Sequence, residues 1–236
     1  MLTGKIEKNQ LLADDIFEME IKYSNLSAKP GQFINVVCDG KLLPRPISVC
    51  QSKKESFVLV YKVVGEGTKW LSKRIKGSEI RFSPPLGRGF NLDIKNKKIA
   101  ILGGGMGIAP ILSVAQALDK ADVFLGYNND EFLHDKFPNK IYKSFASKGE
   151  TVIDRFVNSK VGKSYDYVIA CGPEGMLKAL QQVCKEKNIP GQISIEQHMA
   201  CGVGACLVCN CQTKHGYKLV CSDGPVFPIE EVVFND

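Results

Sequence analysis

The chain has 236 residues, of which 44% are hydrophobic and 24% are charged, with a formal net charge of +6. These values describe a globular protein with room for two domains, or for one large domain with an appendage. The basic residues are dispersed rather than clustered in a stripe, so no nucleic-acid partner is expected. The N-terminus has no apolar signal-peptide core, so we expect a cytoplasmic protein without a membrane partner, whose nine cysteines are reduced or metal-bound.

The first 96 residues predict a small antiparallel β-barrel. Hydrophobic and charged residues alternate from Phe17 to Lys22, which is the period of a half-buried strand. Residues 32–38 and 57–64 have the same pattern, and turn-forming segments separate them. Short strands at this spacing are typical of a small barrel or sandwich.

Two motifs interrupt the strand pattern. The run Arg45-Pro46-Ile47-Ser48 places a forked cation beside a rigid proline and a hydroxyl, and Arg binds phosphate oxygens in a bidentate manner. The run Gly65-Glu66-Gly67-Thr68 predicts a helix that continues through Ile75, with Thr68 as its N-cap and free N–H groups for an anion. Each motif alone is also typical of an ordinary turn.

Residues 97–190 predict a nucleotide-binding α/β domain. An apolar strand, Lys98–Leu102, leads into a loop with Gly103, Gly104, Gly105 and Gly107, and a helix follows to about Ala117. In this strand–loop–helix arrangement phosphates meet the N-terminus of a helix. The arrangement also explains the absence of charge between Ile99 and Leu118 without a membrane span.

Further strands are predicted at Ala121–Tyr127 and Asp166–Ala170. The second leads into Cys171-Gly172-Pro173 and a helix from Met176 to Lys187, and Cys171 is either a small buried residue or one that faces a nicotinamide. The glycine loop is not the Gly-x-Gly-x-x-Gly fingerprint. No Arg or Lys that could hold a 2′-phosphate occurs between Asn128 and Glu131, which favours NAD over NADP.

Four cysteines near the C-terminus have the spacing of an iron–sulfur site. Cys201, Cys206 and Cys209 form Cys-x4-Cys-x2-Cys, and Cys221 follows at a distance, which is the plant-type ligand pattern of a [2Fe-2S] cluster. Gly202 and Gly204 permit positive φ angles and close approach of the backbone to a cluster.

Alternative ligands and alternative uses of these cysteines exist. Zinc would favour paired Cys-x2-Cys or mixed Cys/His sets, and a disulfide framework would require an oxidising compartment. Cys211 lies two residues beyond Cys209 and could replace a neighbour as ligand, although the four-cysteine spacing leaves it as a free thiol. His198 is interpreted as a residue that supports the cluster ligands without binding iron itself, or as a surface residue.

Together these motifs resemble the ferredoxin–NADP reductase superfamily. Arg45–Ser48 lies where that family has Arg-x-Tyr-Ser, and Cys171-Gly172-Pro173 where it has Cys-Gly-Pro. The segment Glu196–Cys209 is similar to the iron–sulfur electron-transfer subunits of two-component, NAD-linked dihydroorotate dehydrogenases. The resemblance covers the whole chain and implies an FAD-binding antiparallel β-barrel (1–96), a Rossmann-like NAD-binding domain (97–190) and a small [2Fe-2S] subdomain (191–236).

The resemblance also implies a set of cofactor-binding residues. FAD would be bound by Arg45, Pro46, Ile47, Ser48, Val60, Tyr61, Lys62, Gly67 and Thr68. NAD would be bound by Gly103, Gly104, Gly105, Gly107, Cys171, Gly172 and Pro173. Cys201, Cys206, Cys209 and Cys221 would hold the cluster. At Ile47 the chain departs from the family, which has a flavin-stacking Tyr there, and an aliphatic cover for the flavin is the simplest expectation.

The implied activity is electron transfer in pyrimidine biosynthesis. A partner subunit that contains FMN would oxidise dihydroorotate, and electrons would pass through the [2Fe-2S] cluster and FAD to NAD⁺, with two copies of each chain in the complex. Hydride transfer needs no general acid or base, so no catalytic residue is predicted, and Ser48 is the candidate for a hydrogen bond at the flavin N5 edge.

Three alternatives stay open at this point. The chain could serve a sulfide dehydrogenase, a hydrogenase or an NADH–ferredoxin transhydrogenase, although sulfide dehydrogenase and transhydrogenase relatives tend to have Asp where this chain has Cys201. It could be a redox sensor on the same scaffold, or a zinc-stabilised binding module. The apolar tail from Val226 to Phe234 would cover the cluster or contact the partner.

Overall fold

The structure is a computed structural model that describes residues 1–159 and 165–234. The N-terminal part is a closed barrel with strand order β1-β2-β5-β4-β3-β6, and all of its pairings are antiparallel. Its elements are β1 (Leu2–Ala13), β2 (Ile16–Lys22), β3 (Phe33–Val36), β4 (Arg45–Ser52), β5 (Ser56–Lys62), α1 (Glu66–Ser72) and β6 (Glu79–Phe82). The predicted antiparallel barrel is confirmed.

The interior of the barrel is filled by alternating side chains from its strands. Met19, Ile34, Phe57 and Phe82 are buried there, and the rings of Phe57 and Phe82 meet edge to face with their centroids 5.0 Å apart. The expectation that charged residues of β2 face solvent is wrong at Glu18, which is only 3% exposed. The nucleotide domain covers the face of the barrel on which Glu18 lies. One lysine of the barrel and one of the nucleotide domain pair with its carboxylate.

Helix α1 differs from the predicted helix at both ends. Gly65 is the N-cap, so Thr68 lies at the third helical position and not at the cap. The Thr68 hydroxyl accepts hydrogen bonds from the N–H groups of Val64 and Gly65 and thereby holds the chain before the helix. The helix ends at Ser72, so Ile75 lies outside it and is 72% exposed.

The second part of the chain is a six-stranded sheet with strand order β14-β11-β10-β7-β8-β9, parallel except for β14. Its elements are β7 (Ile99–Gly104), α2 (Ile108–Ala117), β8 (Asp122–Tyr127), β9 (Lys140–Phe145), α3 (Val152–Asn158), β10 (Tyr167–Cys171), α4 (Glu174–Lys187) and β11 (Gly191–Ser194). A turn of 3₁₀ helix, Gly105–Gly107, joins β7 to α2. The predicted Rossmann-like order of strand, glycine loop and helix is confirmed.

The C-terminal segment returns to this sheet after an excursion. It contains a two-stranded hairpin, β12 (Asn210–Thr213) and β13 (Gly216–Leu219), and the short strand β14 (Val226–Pro228), which pairs with β11. Residues 191–194 and 226–228 therefore belong to the sheet of the nucleotide domain. The predicted domain division stays a prediction, and its ranges include residues 160–164 and 235–236, which lie outside the described residues.

The apolar C-terminal tail is part of the interior. Phe227, Ile229 and Val232 are buried in one cluster with Cys209, Cys221 and the strands of the sheet. The sequence left two alternatives for this tail, to cover the cluster or to contact the partner. The structure shows it packed against the cluster cysteines of its own chain.

Helix α2 joins the barrel to the nucleotide domain. Its apolar side chains pack with Cys50, Val58 and Val60 on the outer face of β4 and β5. At the edge of this contact, Glu18 of the barrel accepts from Lys8 at 2.7 Å and also pairs with Lys136 of the nucleotide domain. The two lysines keep the pKa of the Glu18 carboxyl below its ordinary value, although burial acts in the opposite direction. None of the described helices is long and apolar enough to cross a membrane.

Candidate cofactor and electron-transfer site

A cavity of about 360 Å³ lies where the barrel, the nucleotide domain and the C-terminal segment meet. Nine of the residues predicted to bind FAD or NAD line it: Arg45, Pro46, Ile47, Ser48, Val60, Tyr61, Lys62, Thr68 and Cys171. They lie on three different strands and one helix, so only the tertiary structure brings them together. A concave site with a few convergent polar groups is typical of cofactor binding.

The Arg45 side chain lies over the first turn of α1. Its guanidinium donates to the Leu43 carbonyl at 2.6 Å, and a Cβ added to Gly67 would lie 2.1 Å from Nε of Arg45. The guanidinium therefore occupies the space that a Gly67 side chain would take, and a side chain there would displace Arg45. Arg45 and the start of α1, which the sequence predicted as two separate anion-binding motifs, are in contact.

Tyr61 is fixed by a buried polar network. Its hydroxyl donates to Asn9 Oδ1 at 2.9 Å, and Asn9 Nδ2 donates to the carbonyls of Leu71 and Arg74, also at 2.9 Å. Burial raises the pKa of Tyr61, so the phenol stays protonated and acts as a donor. The network joins β1, β5 and the end of α1, and it holds this wall of the cavity rigid.

The two predicted nicotinamide loops pack against each other. A Cβ on Gly107 would lie 2.2 Å from the Cys171 carbonyl oxygen, and those on Gly104 and Gly172 would lie 2.4 Å and 2.7 Å from Met176 Sδ. Gly67, Gly103, Gly104, Gly105, Gly107, Gly172 and Pro173 are not among the residues that line the cavity. The nucleotide domain contributes Met106, Ala109, Pro110 and Cys171 to the lining instead.

Cys171 is the small buried residue that one interpretation predicted, and its place opposite a nicotinamide stays a prediction. It is 2% exposed at the end of β10, and it also lines the cavity. Burial raises the pKa of its thiol to about 12, so it is an uncharged group at the wall rather than a nucleophile.

Several residues of the cavity were missed by the sequence analysis. Phe33, Ser194, Ile195, Glu196 and Met199 contribute to the lining. Ser194 ends β11, and Ile195 and Glu196 follow it directly. Ligands of open α/β sheets bind at the carboxyl ends of parallel strands, so recognition of β11 would have identified these residues. Glu196 lines the cavity but is an exposed residue, and partial burial of its carboxyl raises its pKa.

The four predicted cluster ligands form two pairs. The Cys201 thiolate accepts from the Val203 N–H at 3.4 Å and from the Cys206 thiol, and these donors lower its pKa to about 6. Cys209 and Cys221 form the second pair, in which the thiols are hydrogen-bonded and the Cys221 N–H also donates to Cys209 Sγ at 3.4 Å. Gly204 N–H donates to Cys221 Sγ at 3.1 Å, which links the pairs.

The four cysteines of the two pairs match the ligand requirement of a two-iron cluster. A [2Fe-2S] cluster takes four cysteine ligands for its two irons. Gly202 and Gly204 have φ values of 72° and 81°, as the backbone wrap was expected to require.

The remaining candidates near the cluster lie apart from the two pairs. Cys211 is 8% exposed in β12, and burial raises the pKa of its thiol to about 11. His198 is exposed.

A second cavity, of about 460 Å³, lies between the end of α4, the β12–β13 hairpin and the chain around Ile229. None of the predicted site residues lines it. By volume alone, this cavity would be the candidate cofactor site. The smaller cavity is the better candidate because the polar groups of the predicted motifs converge on it.

Comparison with known proteins identifies the family. The family model described as the iron-sulfur cluster binding domain of dihydroorotate dehydrogenase B matches residues 196–233. A protein of Caldanaerobacter subterraneus subsp. tengcongensis, named dihydroorotate dehydrogenase B (NAD(+)), electron transfer subunit, is 38% identical over 245 aligned residues, which cover 99% of this chain and 98% of the relative. The chain belongs to this family of electron transfer subunits. A Clostridium perfringens protein of the same name is 38% identical over 98% of this chain and 97% of its own length.

Solved structures agree with the family assignment. An NADH-dependent reduced ferredoxin-NADP oxidoreductase, whose structure was described for flavin-based electron bifurcation, is 27% identical and covers 99% of this chain and 90% of its own, with a TM-score of 0.86. Phthalate dioxygenase reductase, at 17% identity, shares the fold over 90% of this chain and 86% of its own with a TM-score of 0.64. These findings confirm the predicted family, the fold class, the oxidoreductase assignment and the iron–sulfur domain.

Proposed function

We propose that this electron transfer subunit passes electrons from the FMN of a dihydroorotate-oxidising partner, through a [2Fe-2S] cluster and FAD, to NAD⁺. The observation that carries the proposal is the lining of the smaller cavity. Arg45–Ser48 come from the barrel, Met106 and Cys171 from the nucleotide domain, and Glu196 and Met199 from the segment that leads to the cluster cysteines. A cavity that all three parts share is where a flavin has access both to a nicotinamide and to a cluster.

FAD, when bound, exchanges hydride with a nicotinamide and single electrons with an iron–sulfur cluster. In this chain Arg45 would bind its phosphate groups, and Pro46, Ile47, Ser48, Val60, Tyr61, Lys62 and Thr68 would hold its ring and linker. The Ser48 hydroxyl lies at the wall, where it can donate to a ring nitrogen. Ile47 is 7% exposed and packs in the barrel core, so its aliphatic side chain adds a dry wall.

NAD would enter from the side of Met106 and Cys171. The glycines of the nucleotide loops act here by permitting the loops to pack closely, because side chains on Gly104, Gly107 and Gly172 would collide with their neighbours. Residues 128–131 follow β8 at the edge where the adenosine end of a dinucleotide is expected. In three dimensions Lys143 lies beside them but pairs with Glu131, so it is not a free cation for a 2′-phosphate.

The partner would dock at the exposed side of the cluster loop. Cys206 is exposed there, and Val203, Leu207 and Val208 are 64%, 64% and 50% exposed. Adjacent exposed apolar residues mark a protein contact. We infer an FMN-containing catalytic subunit as the occupant, in a cytoplasmic complex with two copies of each chain.

Coexpression with a candidate FMN-containing subunit tests the proposal. The purified complex should contain FAD, iron and labile sulfide, and it should reduce NAD⁺ when dihydroorotate is added, whereas the catalytic subunit alone should not. A complex that contains FAD and the cluster, yet shows no dihydroorotate-dependent NADH formation, would contradict the proposed partner. Zinc in place of iron would contradict the cluster as well.

A second candidate is an NADH-dependent oxidoreductase subunit that serves ferredoxin. The structure of the NADH-dependent reduced ferredoxin-NADP oxidoreductase, which matches 99% of this chain with a TM-score of 0.86, favours this alternative. Because both candidates share the cavity and the cluster, only the electron donor separates them. Reduced ferredoxin should support NAD⁺ reduction by the second and not by the first.

A further inference from the structure

One buried amide connects the flavin side of the barrel to the cluster loop. Asn35 lies on β3, is 6% exposed, and donates from Nδ2 to the Cys201 carbonyl at 3.3 Å, across 166 residues of sequence. Neither the sequence motifs nor the cavity lining singles out this residue.

The register of the barrel places Asn35 next to the proposed flavin site. In the β3–β4 pair, Asn35 lies opposite Pro46 and Phe33 lies opposite Ser48. Pro46, Ser48 and Phe33 all line the cavity. Opposite residues of an antiparallel pair share one face, with Cβ atoms about 5 Å apart. Asn35 is therefore the neighbour of the flavin motif on one side and of the first cluster ligand on the other.

The cluster loop is shaped to fit this amide. A Cβ on Gly202 would lie 2.3 Å from Asn35 Nδ2 and 3.2 Å from Leu86 Cδ1, so the loop approaches the barrel more closely than any other residue type would allow. Gly202 also has a φ of 72°. A loop that packs directly on β3 needs both the close approach and the positive φ at Gly202.

The backbone of Asn35 is held from its other side. Its N–H donates to Ser83 Oγ at 2.9 Å, and its carbonyl accepts from the Ser83 N–H at 3.0 Å. Asn35 Oδ1, in contrast, is buried without a hydrogen-bond partner among residues 1–159 and 165–234. Burial of an unpaired amide oxygen is unfavourable, and an apolar side chain would suit the barrel better. The contact with Cys201 accounts for an amide at this position.

We propose that Asn35 is a positioning residue that fixes the cluster loop against the flavin site and so sets the rate of electron transfer between them. This inference rests on the proposed function for the presence of FAD and the cluster. Each transfer moves one electron, oxidising one group and reducing the other, so two transfers match one hydride. Phe33 at the cavity wall and Asn35, which contacts the Cys201 carbonyl, are two residues apart on β3, an extended span of about 7 Å. Hydrogen bonds around cluster ligands also tune the potential of a cluster.

Two variants of the full chain, loaded with FAD and cluster, test the proposal. Asn35→Asp keeps the shape of the side chain but removes the donor, and Asn35→Leu removes the donor without adding charge. After mixing with NADH, the flavin absorbance should bleach at the wild-type rate in both. Reduction of the cluster should then be about fivefold slower, the factor that corresponds to one lost hydrogen bond. The electron paramagnetic resonance spectrum and the midpoint potential of the reduced cluster should shift as well.

Asn139→Asp is the matched control. Asn139 lies in the nucleotide domain and does not line the cavity; its Nδ2 donates to the carbonyls of Leu118 and Ala121 at 2.8 Å and 3.1 Å, and its Oδ1, like that of Asn35, is buried without a hydrogen-bond partner among the described residues. The control should show the wild-type rate and spectrum. The Asn35 variants could instead lose iron while they retain FAD and the control retains both cofactors. That result would show that Asn35 already holds the cluster loop in place while the cluster assembles.

Wild-type cluster reduction, spectrum and potential in both Asn35 variants would overturn the proposal. A wild-type protein whose flavin is not reduced by NADH would instead overturn the proposed function. The two failures are therefore distinguishable in one experiment.

Discussion

The two glycine-rich loops of the chain use the same residue type for different reasons. In the nucleotide loop, Gly103–Gly107, two glycines provide space: a Cβ on Gly103 would lie 2.4 Å from Ile111 Cδ1, and one on Gly107 would collide with the Cys171 carbonyl. In the cluster loop, Cys201–Cys209, Gly202 and Gly204 have a positive φ, and Gly202 also packs against Asn35, while Val203 and residues 205–208 are exposed. The first loop is held by packing, and the second by one contact with the barrel and by what its cysteines bind.

This difference predicts where each loop is sensitive. A closely packed loop keeps its conformation without a ligand, because its neighbours define it. An exposed loop with few buried contacts depends on the free energy of ligand binding, since metal binding and folding are coupled. Substitutions in the nucleotide loop should therefore lower global stability, whereas substitutions in the cluster loop should lower cofactor content.

The largest effect is expected at the cluster. Cys221→Ser removes one thiolate from the Cys209–Cys221 pair and should abolish the cluster, because Ser is a poor ligand for iron. Cluster absorbance and iron content should fall to background, while FAD stays bound. Cys211→Ser is the control and should retain both. Loss of the cluster in the control as well would assign Cys211 as a ligand.

The nucleotide loop should respond through stability. Gly107→Ala places a methyl group 2.2 Å from a backbone carbonyl that cannot move aside, and we expect a loss of about 3 kcal/mol in the free energy of unfolding. Gly175→Ala, in α4, meets no atom within 4 Å and should be neutral or stabilise the helix. Urea unfolding of both variants measures the difference. Equal stabilities would contradict the packing explanation.

The junction that carries the nucleotide loop should show a smaller, pH-dependent effect. Glu18→Gln replaces a carboxylate bound by Lys8 and Lys136, and we expect a loss of about 2 kcal/mol at pH 7. Folding lowers the Glu18 pKa below its ordinary 4.5, so the carboxylate stabilises the protein above that pH. The advantage should disappear as the pH falls through the pKa of the folded protein. A difference between wild type and variant that does not change between pH 7 and pH 3 would contradict this role.

The smallest effect is expected at the cavity wall. Ser48→Ala should leave FAD content and stability unchanged, because the side chain is only half-buried and makes none of the hydrogen bonds found for its neighbours. The rate of flavin reduction by NADH should fall about fivefold if the hydroxyl donates to the flavin. Stopped-flow absorbance measures this rate, and unchanged kinetics would remove Ser48 from the proposed site.

Features that depend on local spacing were accessible from the sequence. The cysteine pattern, the strand–glycine–helix order and the extended Arg45–Ser48 segment are each encoded within about twenty residues, where periodicity and turn chemistry act. Thr68 shows the limit of such rules, because the same hydroxyl can cap a helix from the N-cap or from the third position. The two positions are distinguished only by the backbone hydrogen bonds of the folded chain.

Long-range contacts were decided by the tertiary structure alone. The contact between Glu18 and Lys136, the pairing of β14 with β11 and the contact between Asn35 and Cys201 join residues that lie 32 to 166 positions apart in the chain. Nothing in the local pattern of β2 or β3 marks these residues, since a buried polar group is recognised only by the partner that satisfies it. The sequence by itself determined which cofactor chemistry the chain can support, and the tertiary structure decided which residues bring those cofactors together.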